Sequence, residues 1–292
     1  MSILQADALL PLFCSVDDFC LTNLPLIASQ LLSTKGKRNR VRSLSQSEIM
    51  TLLIAFQQSH SRNFKAFYLG FVCHYWKRDF PKSVSYNRFI EYIPSVIASL
   101  AADLKSLLGN CHGISFIDST CLAVCHNKRI NRHKVFAKTA KRGKTSVGRF
   151  HGFKLHLAIN EQGELLALAF TAGNARDVQP VPTLLQGISG KVYGDKGYLS
   201  EPLRRGLLKQ GIEIITKVRK NMKQRPLSAP EKSLLRKQSL VETVTDQIKN
   251  TAQIEHTRHR AGTGSLSNML AALVAYCRQP KKPSIKAHIS LS

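Results

Sequence analysis

Two aspartates, Asp118 and Asp195, each end a short apolar segment and could act together as metal ligands. Segments 114–118 and 191–195 are both predicted to be buried strands that finish in an acid. If these strands are parallel neighbours, the two aspartates lie side by side at the carboxyl ends, where open α/β sheets bind ligands. Each residue taken alone could instead be a turn residue at a strand end.

Paired carboxylates indicate a particular chemistry. Two of them forced together repel each other unless a cation lies between them, and hard oxygen ligands suit Mg²⁺ or Mn²⁺. A third acid would complete a site for two ions. Two such ions can clamp both oxygens of an in-line phosphoryl displacement.

These acids stand in a strongly basic chain. Its 292 residues include 43 Lys and Arg against 18 Asp and Glu, which gives a formal net charge of +25. No acid occurs between Asp118 and Glu161, whereas ten Lys or Arg do. This charge favours a nucleic acid as the partner, because Lys and Arg release counterions from phosphates. The hydrophobic fraction of 43% is typical of a globular protein.

Other features bear on location and metal type. No apolar run reaches the ~18 residues that a membrane span needs, and the first residues lack the basic region of a secretion signal. The seven scattered cysteines fit reduced thiols, so we expect a cytoplasmic protein with no membrane partner. A zinc site at Cys121, Cys125, His126 and His133 is less favoured, since their spacing matches no standard finger.

Residues 1–108 are predicted to form a small helical domain. It either binds DNA or serves as a packing domain. Ser45 and Glu48 have the spacing of a capping box that opens a helix. Arg88 lies at the start of another short helix, where a recognition helix places base-reading side chains, so it is a candidate DNA contact. A packing helix with a solvated end explains this segment equally well.

Residues 109–292 are predicted to form the main domain, in the order β-β-β-α-β-α-β-α. A hairpin-joined trio of strands followed by right-handed crossovers gives a mixed sheet with helices on its faces. One helix is expected to begin at Asp177, acting as the N-cap, and a long helix is expected over 231–250. A short apolar helix over 266–276 and a basic tail are assigned to the same domain.

Several motifs in this second part carry a family resemblance. They are Ile117-Asp-Ser-Thr120, Cys125-His-Asn-Lys-Arg129, Gly152-Phe-Lys-Leu-His156, Gly173-Asn174, Gly194-Asp-Lys-Gly-Tyr198, Thr216-Lys-Val-Arg-Lys-Asn-Met-Lys223 and Glu242-Thr-Val-Thr-Asp-Gln-Ile-Lys249. Together they resemble bacterial insertion-sequence transposases with a transposase DDE domain, over about residues 80–285. The resemblance implies a ribonuclease-H-like α/β fold with flanking helices.

The resemblance also implies an activity and its residues. Asp118, Asp195 and Glu242 would be the catalytic and metal-binding acids, with two Mg²⁺ or Mn²⁺ ions. The implied reaction nicks double-stranded DNA at the element's terminal inverted repeats, after which a freed 3′ hydroxyl attacks target DNA within a homodimer. Lys249 matches the family's phosphate-contacting Lys. The family usually has Arg four residues before the Glu, and Gln238 stands there in this chain.

A helical projection supports Glu242 over the other late acids. At about 100° per residue, Leu240, Val241, Val244 and Ile248 share one face, which must be the buried one. Gln238, Glu242 and Lys249 then cluster within about 40° on another face. We therefore expect Glu242 as the ligand, Lys249 on a phosphate and Gln238 as a weaker phosphate contact.

Further cations are predicted to contact DNA. They are Lys128 and Arg129, and a loop formed by Lys217, Arg219, Lys220 and Lys223. A solvated charge run is the alternative for the loop. Two other functions remain open: a non-catalytic DNA-binding protein, and a stand-alone nuclease or junction resolvase on the same core. Divalent-dependent cleavage excludes the first, and joining of a cut 3′ end to a second duplex excludes the second.

Overall fold

The computed structural model describes residues 6–30, 42–145, 148–217, 226–255 and 259–285. The chain divides into two compact units, of which the first is Met1–Leu107 with Ile248–Arg278 and the second is Leu108–Gln247 with Gln279–Ser292. The sequence interpretation placed a boundary after residue 108, one residue from the junction between Leu107 and Leu108. The C-terminal helix, however, lies in the first unit, whereas the sequence interpretation assigned it to the second.

Along the chain, the described elements are first helices, then strands with helices between them, and then helices again. The helices are α1 (Ala6–Gln30), α2 (Gln46–Gln58), α3 (Phe64–Phe67), α4 (Tyr86–Tyr92), α5 (Ile97–Ser106), α6 (Val181–Leu184), α7 (Glu201–Leu208), α8 (Ala229–Arg236), α9 (Ser239–Asp246) and α10 (Gly262–Cys277). The strands are β1 (Ile114–Cys125), β2 (Lys141–Lys144), β3 (Arg149–Ile159), β4 (Leu165–Ala172), β5 (Gly190–Gly194) and β6 (Ile212–Thr216).

The first unit is held together by helices from both ends of the chain. The capping box predicted at Ser45 and Glu48 is confirmed at the start of α2. Helix α10 packs against α2 and α5, and it is buried on most of its circumference. Because a helix that is apolar all round must be enclosed, α10 completes the core of the N-terminal helices. A buried ion pair at 2.7 Å joins Arg278 to Asp103 of α5.

The second unit contains the predicted mixed sheet. Its strand order is β2-β3-β1-β5-β6, with β4 paired to β3. Strands β1, β3 and β4 pair antiparallel, and β5 is parallel to both β1 and β6. This arrangement confirms the α/β class and the ribonuclease-H-like mixed sheet with flanking helices. Strand β2 was not predicted, and it pairs with the beginning of β3, beyond the stretch of β3 that β4 covers.

Three glycines allow the backbones to approach one another where β2 meets the sheet. A Cβ at Gly152 would lie 1.9 Å from the carbonyl oxygen of Leu122 in β1. A Cβ at Gly143 would lie 2.2 Å from the carbonyl oxygen of Gly173, and one at Gly173 would lie 2.7 Å from that of Lys141. Only residues without a side chain fit at these distances.

Three predicted helices and strands have different bounds in the structure. Strand β1 does not end at Asp118 but continues to Cys125. The helix expected over 231–250 is divided into α8, α9 and a π-helical segment, Gln247–Thr251. Asp177 is not an N-cap, because α6 begins at Val181 with Pro180 before it.

A carboxylate site at the end of the parallel strands

The pairing of β1 with β5 brings Asp118 and Asp195 to one edge of the sheet. The two strands are parallel and in register from Ile114 with Lys191 to Ile117 with Gly194. Asp118 and Asp195 are the residues that directly follow this paired stretch on the two strands. Strand β5 ends at this point, while β1 continues and pairs with β3 alone. The aspartates therefore lie where the two strands separate.

Asp118 is partly buried among other acids. Its pKa is raised to about 6, first by burial and then by the charges of Glu242, Asp195 and Asp177, against a hydrogen bond from the Ser119 backbone that lowers it. Three other carboxylates therefore lie within electrostatic range of Asp118. The site therefore concentrates negative charge inside a basic protein, an environment that suits a divalent cation.

Glu242 reaches this region from α9. That helix packs against β1 and β3, and it does so through the predicted apolar face, since Leu240, Val241 and Val244 are all buried. Glu242 itself is exposed. The helical projection therefore predicted the inward face of α9 correctly.

The fourth acid, Asp177, was not predicted to belong to the site. Its Oδ1 accepts hydrogen bonds from the Ser119 hydroxyl at 2.7 Å and from the Lys154 ammonium at 2.8 Å. Lys154, 13% exposed, also donates to the carbonyl of Ala175 at 3.0 Å. Asp177 thus connects the loop after β4 to strand β1, one residue beyond Asp118.

The loop that carries Asp195 is shaped by the glycines around it. A Cβ at Gly194 would press on Ile117 and Tyr198 at 3.1 Å, and one at Gly197 would lie 3.4 Å from Asp177 Oδ2. The buried Tyr198 ring packs beneath this turn, and the Tyr198 amide donates to the Asp195 carbonyl at 3.0 Å. The Gly-Asp-Lys-Gly-Tyr motif therefore places Asp195 at the surface and keeps Gly197 beside Asp177.

The chemistry of these side chains fits Mg²⁺ or Mn²⁺, because all four donors are carboxylates. The side chains do not form a ready cage. Within the described ranges, no group of three or more His, Cys, Asp or Glu is close enough together to hold a metal ion. The structure thus assembles the charge and the ligand types of a divalent-cation site, without the final coordination geometry.

The predicted DNA contacts lie in several places. Lys128 and Arg129 are exposed in a 3₁₀ segment, Asn127–Arg132, directly after β1. Lys217 is exposed directly after β6. Arg219, Lys220 and Lys223 lie outside the described residues. In the first unit, Arg88 is exposed at the start of α4, where it pairs with Glu91 at 2.5 Å and lies over the Tyr92 ring.

Two further predicted contacts are affected by the division of the helix. Gln238 is 5% exposed and sits between α8 and α9, so its side chain is enclosed rather than presented to a phosphate. Lys249 belongs to the π-helical segment of the first unit and lies 3.6 Å from Glu255. The projection that grouped them with Glu242 assumed one regular helix, and that assumption does not hold on either side of α9.

The fold and the site define a mixed α/β protein whose acids are grouped at the ends of two parallel strands. Residues 108–262, more than half of the chain, match the family model described as the transposase DDE domain, and the chain belongs to this family. The match includes Asp118, Asp195 and Glu242.

Other comparisons add less. One solved structure, titled as a piggyBac transposase synaptic complex with hairpin DNA, is 13% identical with a TM-score of 0.39. That alignment covers 77% of this chain and 53% of the other, so this chain spans about half of that protein's length. No curated protein matches the sequence. In the part of the chain that the structure describes, no helix has both the length and the apolarity to span a membrane.

Proposed function

We propose that the protein is a transposase that nicks double-stranded DNA at the ends of an insertion element and joins the freed 3′ end to target DNA. The observation that carries this proposal is the parallel pairing of β1 with β5, which aligns Asp118 and Asp195 in a chain of the transposase DDE domain family. The net charge of +25 supports DNA as the substrate.

Each part of the site has a role in this proposal. Asp118, Asp195 and Glu242 would hold two Mg²⁺ or Mn²⁺ ions, which when bound stabilise developing charge on phosphate oxygens and activate a nucleophile. Lys154 and Ser119 fix Asp177, which keeps the loop after β4 against β1. Lys128, Arg129, Lys217 and the predicted basic loop would bind phosphates around the cut. The family resemblance further suggests a homodimer on DNA in the cytoplasm.

The test is a nicking and joining assay on the DNA that flanks the gene. The intact chain should nick this DNA only with Mg²⁺ or Mn²⁺ and should join the 3′ end to a second duplex. Cleavage without joining would identify a stand-alone nuclease. Binding without any divalent-dependent cleavage would identify a non-catalytic DNA-binding protein.

Two substitutions separate catalysis from binding. Asp118→Asn and Asp195→Asn are nearly isosteric but remove the charge that holds a dication, so each should abolish nicking at a cost of several kcal/mol of transition-state stabilisation. DNA affinity should stay close to that of the parent protein. A variant that cuts at more than about a tenth of the parent rate, a loss below about 1.4 kcal/mol, would remove that aspartate from the metal site.

A further inference from the structure

A basic groove of about 630 Å³ opens beside the carboxylates, between three segments of the second unit. Its walls come from β2, from the loop between β4 and α6, and from the turn between β5 and α7. Gly197 and Asp177 belong to its lining, and Gly197 follows Asp195 by two residues. The groove is therefore continuous with the edge of the sheet where the acids lie.

The lining of this groove is predominantly cationic. Four basic side chains line it, Arg142, Lys144, Lys154 and Arg176, against one carboxylate, Asp177. Lys154 is committed to Asp177 at 2.8 Å, so these two charges offset each other. The other three cations are exposed, and among the described residues their side chains form no ion pair. Their charge is available for an external anion.

The folding of the sheet explains why the cations are grouped here. Strand β2 continues the row of β4 along β3, so Arg142 and Lys144 extend from the strand nearest the loop after β4. The close glycine contact between Gly143 and Gly173 holds β2 against the start of the loop that carries Arg176. Arg142 and Arg176 are 34 residues apart in the sequence, and the pairing of β2 with β3 and the contact between Gly143 and Gly173 bring them together.

We propose that this groove binds the phosphodiester backbone of the DNA strand next to the cut, through Arg142, Lys144 and Arg176. The inference rests on the proposed function for its choice of DNA. A strand whose reacting phosphate lies at Asp118 and Asp195 continues past Gly197 into the groove, where the three cations neutralise its neighbouring phosphates. The Lys154–Asp177 pair keeps the one acid in the groove from repelling them.

The test compares two triple variants of the full chain that each lose three positive charges. The groove variant is Arg142→Gln, Lys144→Gln and Arg176→Gln. The control variant is Lys209→Gln, Lys232→Gln and Arg236→Gln, at exposed positions outside the groove. Affinity for the flanking duplex is measured against salt concentration without divalent ions, so that binding is scored apart from cleavage. Thermal unfolding of both variants checks that they fold.

Each phosphate contact contributes about 0.9 to the slope of log K against log salt, so the groove variant should lose about 2 to 3 from that slope. Its affinity near physiological salt should fall on the order of 100-fold, and the control's slope should change by less than about 0.9. A neutral methylphosphonate placed next to the phosphate that would be cut should weaken binding by the parent but not by the groove variant. A groove variant that matches the control in slope and affinity would overturn the proposal.

The outcomes also separate this inference from the proposed function. A parent that nicks DNA, together with a groove variant that binds like the control, would overturn the groove and leave the transposase proposal intact. A parent that never nicks DNA with Mg²⁺ or Mn²⁺, together with the expected loss of slope, would overturn the transposase proposal while supporting the groove as a DNA-backbone site.

Discussion

At the scale of single residues, the site is defined by how charges are compensated. Asp177 has a cation, Lys154, at 2.8 Å, whereas the pKa of Asp118 is raised by burial and then by further acids. Two acids of the same site thus have opposite environments. The compensated acid serves structure, and the uncompensated one is suited to a metal ion.

The third ligand can be tested by comparing two acids on α9. Glu242→Gln should be inactive in the Mg²⁺-dependent nicking assay, because it removes a proposed metal ligand whose charge acts at Asp118. Asp246→Asn, also at an exposed position of α9, should be at most impaired and serves as the matched control. An active Glu242→Gln beside an inactive Asp246→Asn would mean that the ligand has been placed on the wrong face of the helix.

At the scale of elements, the sheet depends on positions where side chains must be absent. The carbonyl oxygen of Leu122 in β1 occupies the space that a Cβ at Gly152 of β3 would need. Gly206 in α7 has open space around it. A side chain is therefore excluded at Gly152, whereas Gly206 has room for one.

Alanine at these two positions should change stability in opposite directions. Gly152→Ala should lower the free energy of unfolding by about 1–3 kcal/mol or more, because β1 and β3 must separate to admit the methyl group. Gly206→Ala should raise it by about 0.5–1 kcal/mol, since alanine is the better helix former. Urea unfolding measures both. A neutral Gly152→Ala would contradict the close approach of the strands.

A buried histidine on β3 should make stability depend on pH. His156 is fully buried and lies 2.8 Å from the Thr171 hydroxyl, and burial lowers its pKa from 6.5 to about 4. Since the unfolded chain takes up the proton first, stability is fully present above pH 6.5 and is lost as pH falls from 6.5 toward 4. The loss is on the order of 1–3 kcal/mol.

The control for this prediction is His156→Gln, which keeps an amide for Thr171 but does not titrate. Urea midpoints are measured from pH 7 to pH 4 for both proteins. The variant should show a shallower fall of stability over this range than the parent. Parallel curves would show that other groups account for the pH dependence.

At the scale of the whole molecule, the chain folds as two units whose sequences are interleaved. The first unit needs both ends of the chain, because Ile248–Arg278 packs with the N-terminal helices. The contact between these two segments is electrostatic as well as apolar. Arg278 binds Asp103 at 2.7 Å and also donates a hydrogen bond to the Ser15 hydroxyl. Asp103 is 1% exposed in its side chain, so its charge has little access to water.

Removing the cation should therefore be costly. Arg278→Gln should lower stability by about 3–5 kcal/mol, because it leaves Asp103 charged and buried without a partner. Asp103→Asn combined with Arg278→Gln should recover part of that loss. The surface pair of Arg204 with Glu201 is the control, and Arg204→Gln should lower stability far less, because water screens an exposed pair. Equal losses for the two single variants in thermal unfolding would contradict the role of burial.

The sequence by itself determined the features that depend on local pattern. The apolar stretches that lead to Asp118 and Asp195, the inward face of α9 and the capping box at Ser45 all follow from residue spacing over a few positions. The sequence interpretation took the parallel pairing of these strands as its condition, and the structure has that pairing. The family motifs added Glu242 to the two aspartates.

Only the tertiary structure decided the features that depend on distant partners. Asp177 lies at the site because its loop is bound by Ser119 of β1 and Lys154 of β3, which are 58 and 23 residues away in the sequence. The break before α9 encloses Gln238, and no proline or glycine in that segment marks the break. Helix α10 lies with the N-terminal helices because its all-round apolar surface needs their core, and the groove exists because β2 meets the loop after β4. Each depends on the choice between possible long-range contacts, which spacing along the chain does not encode.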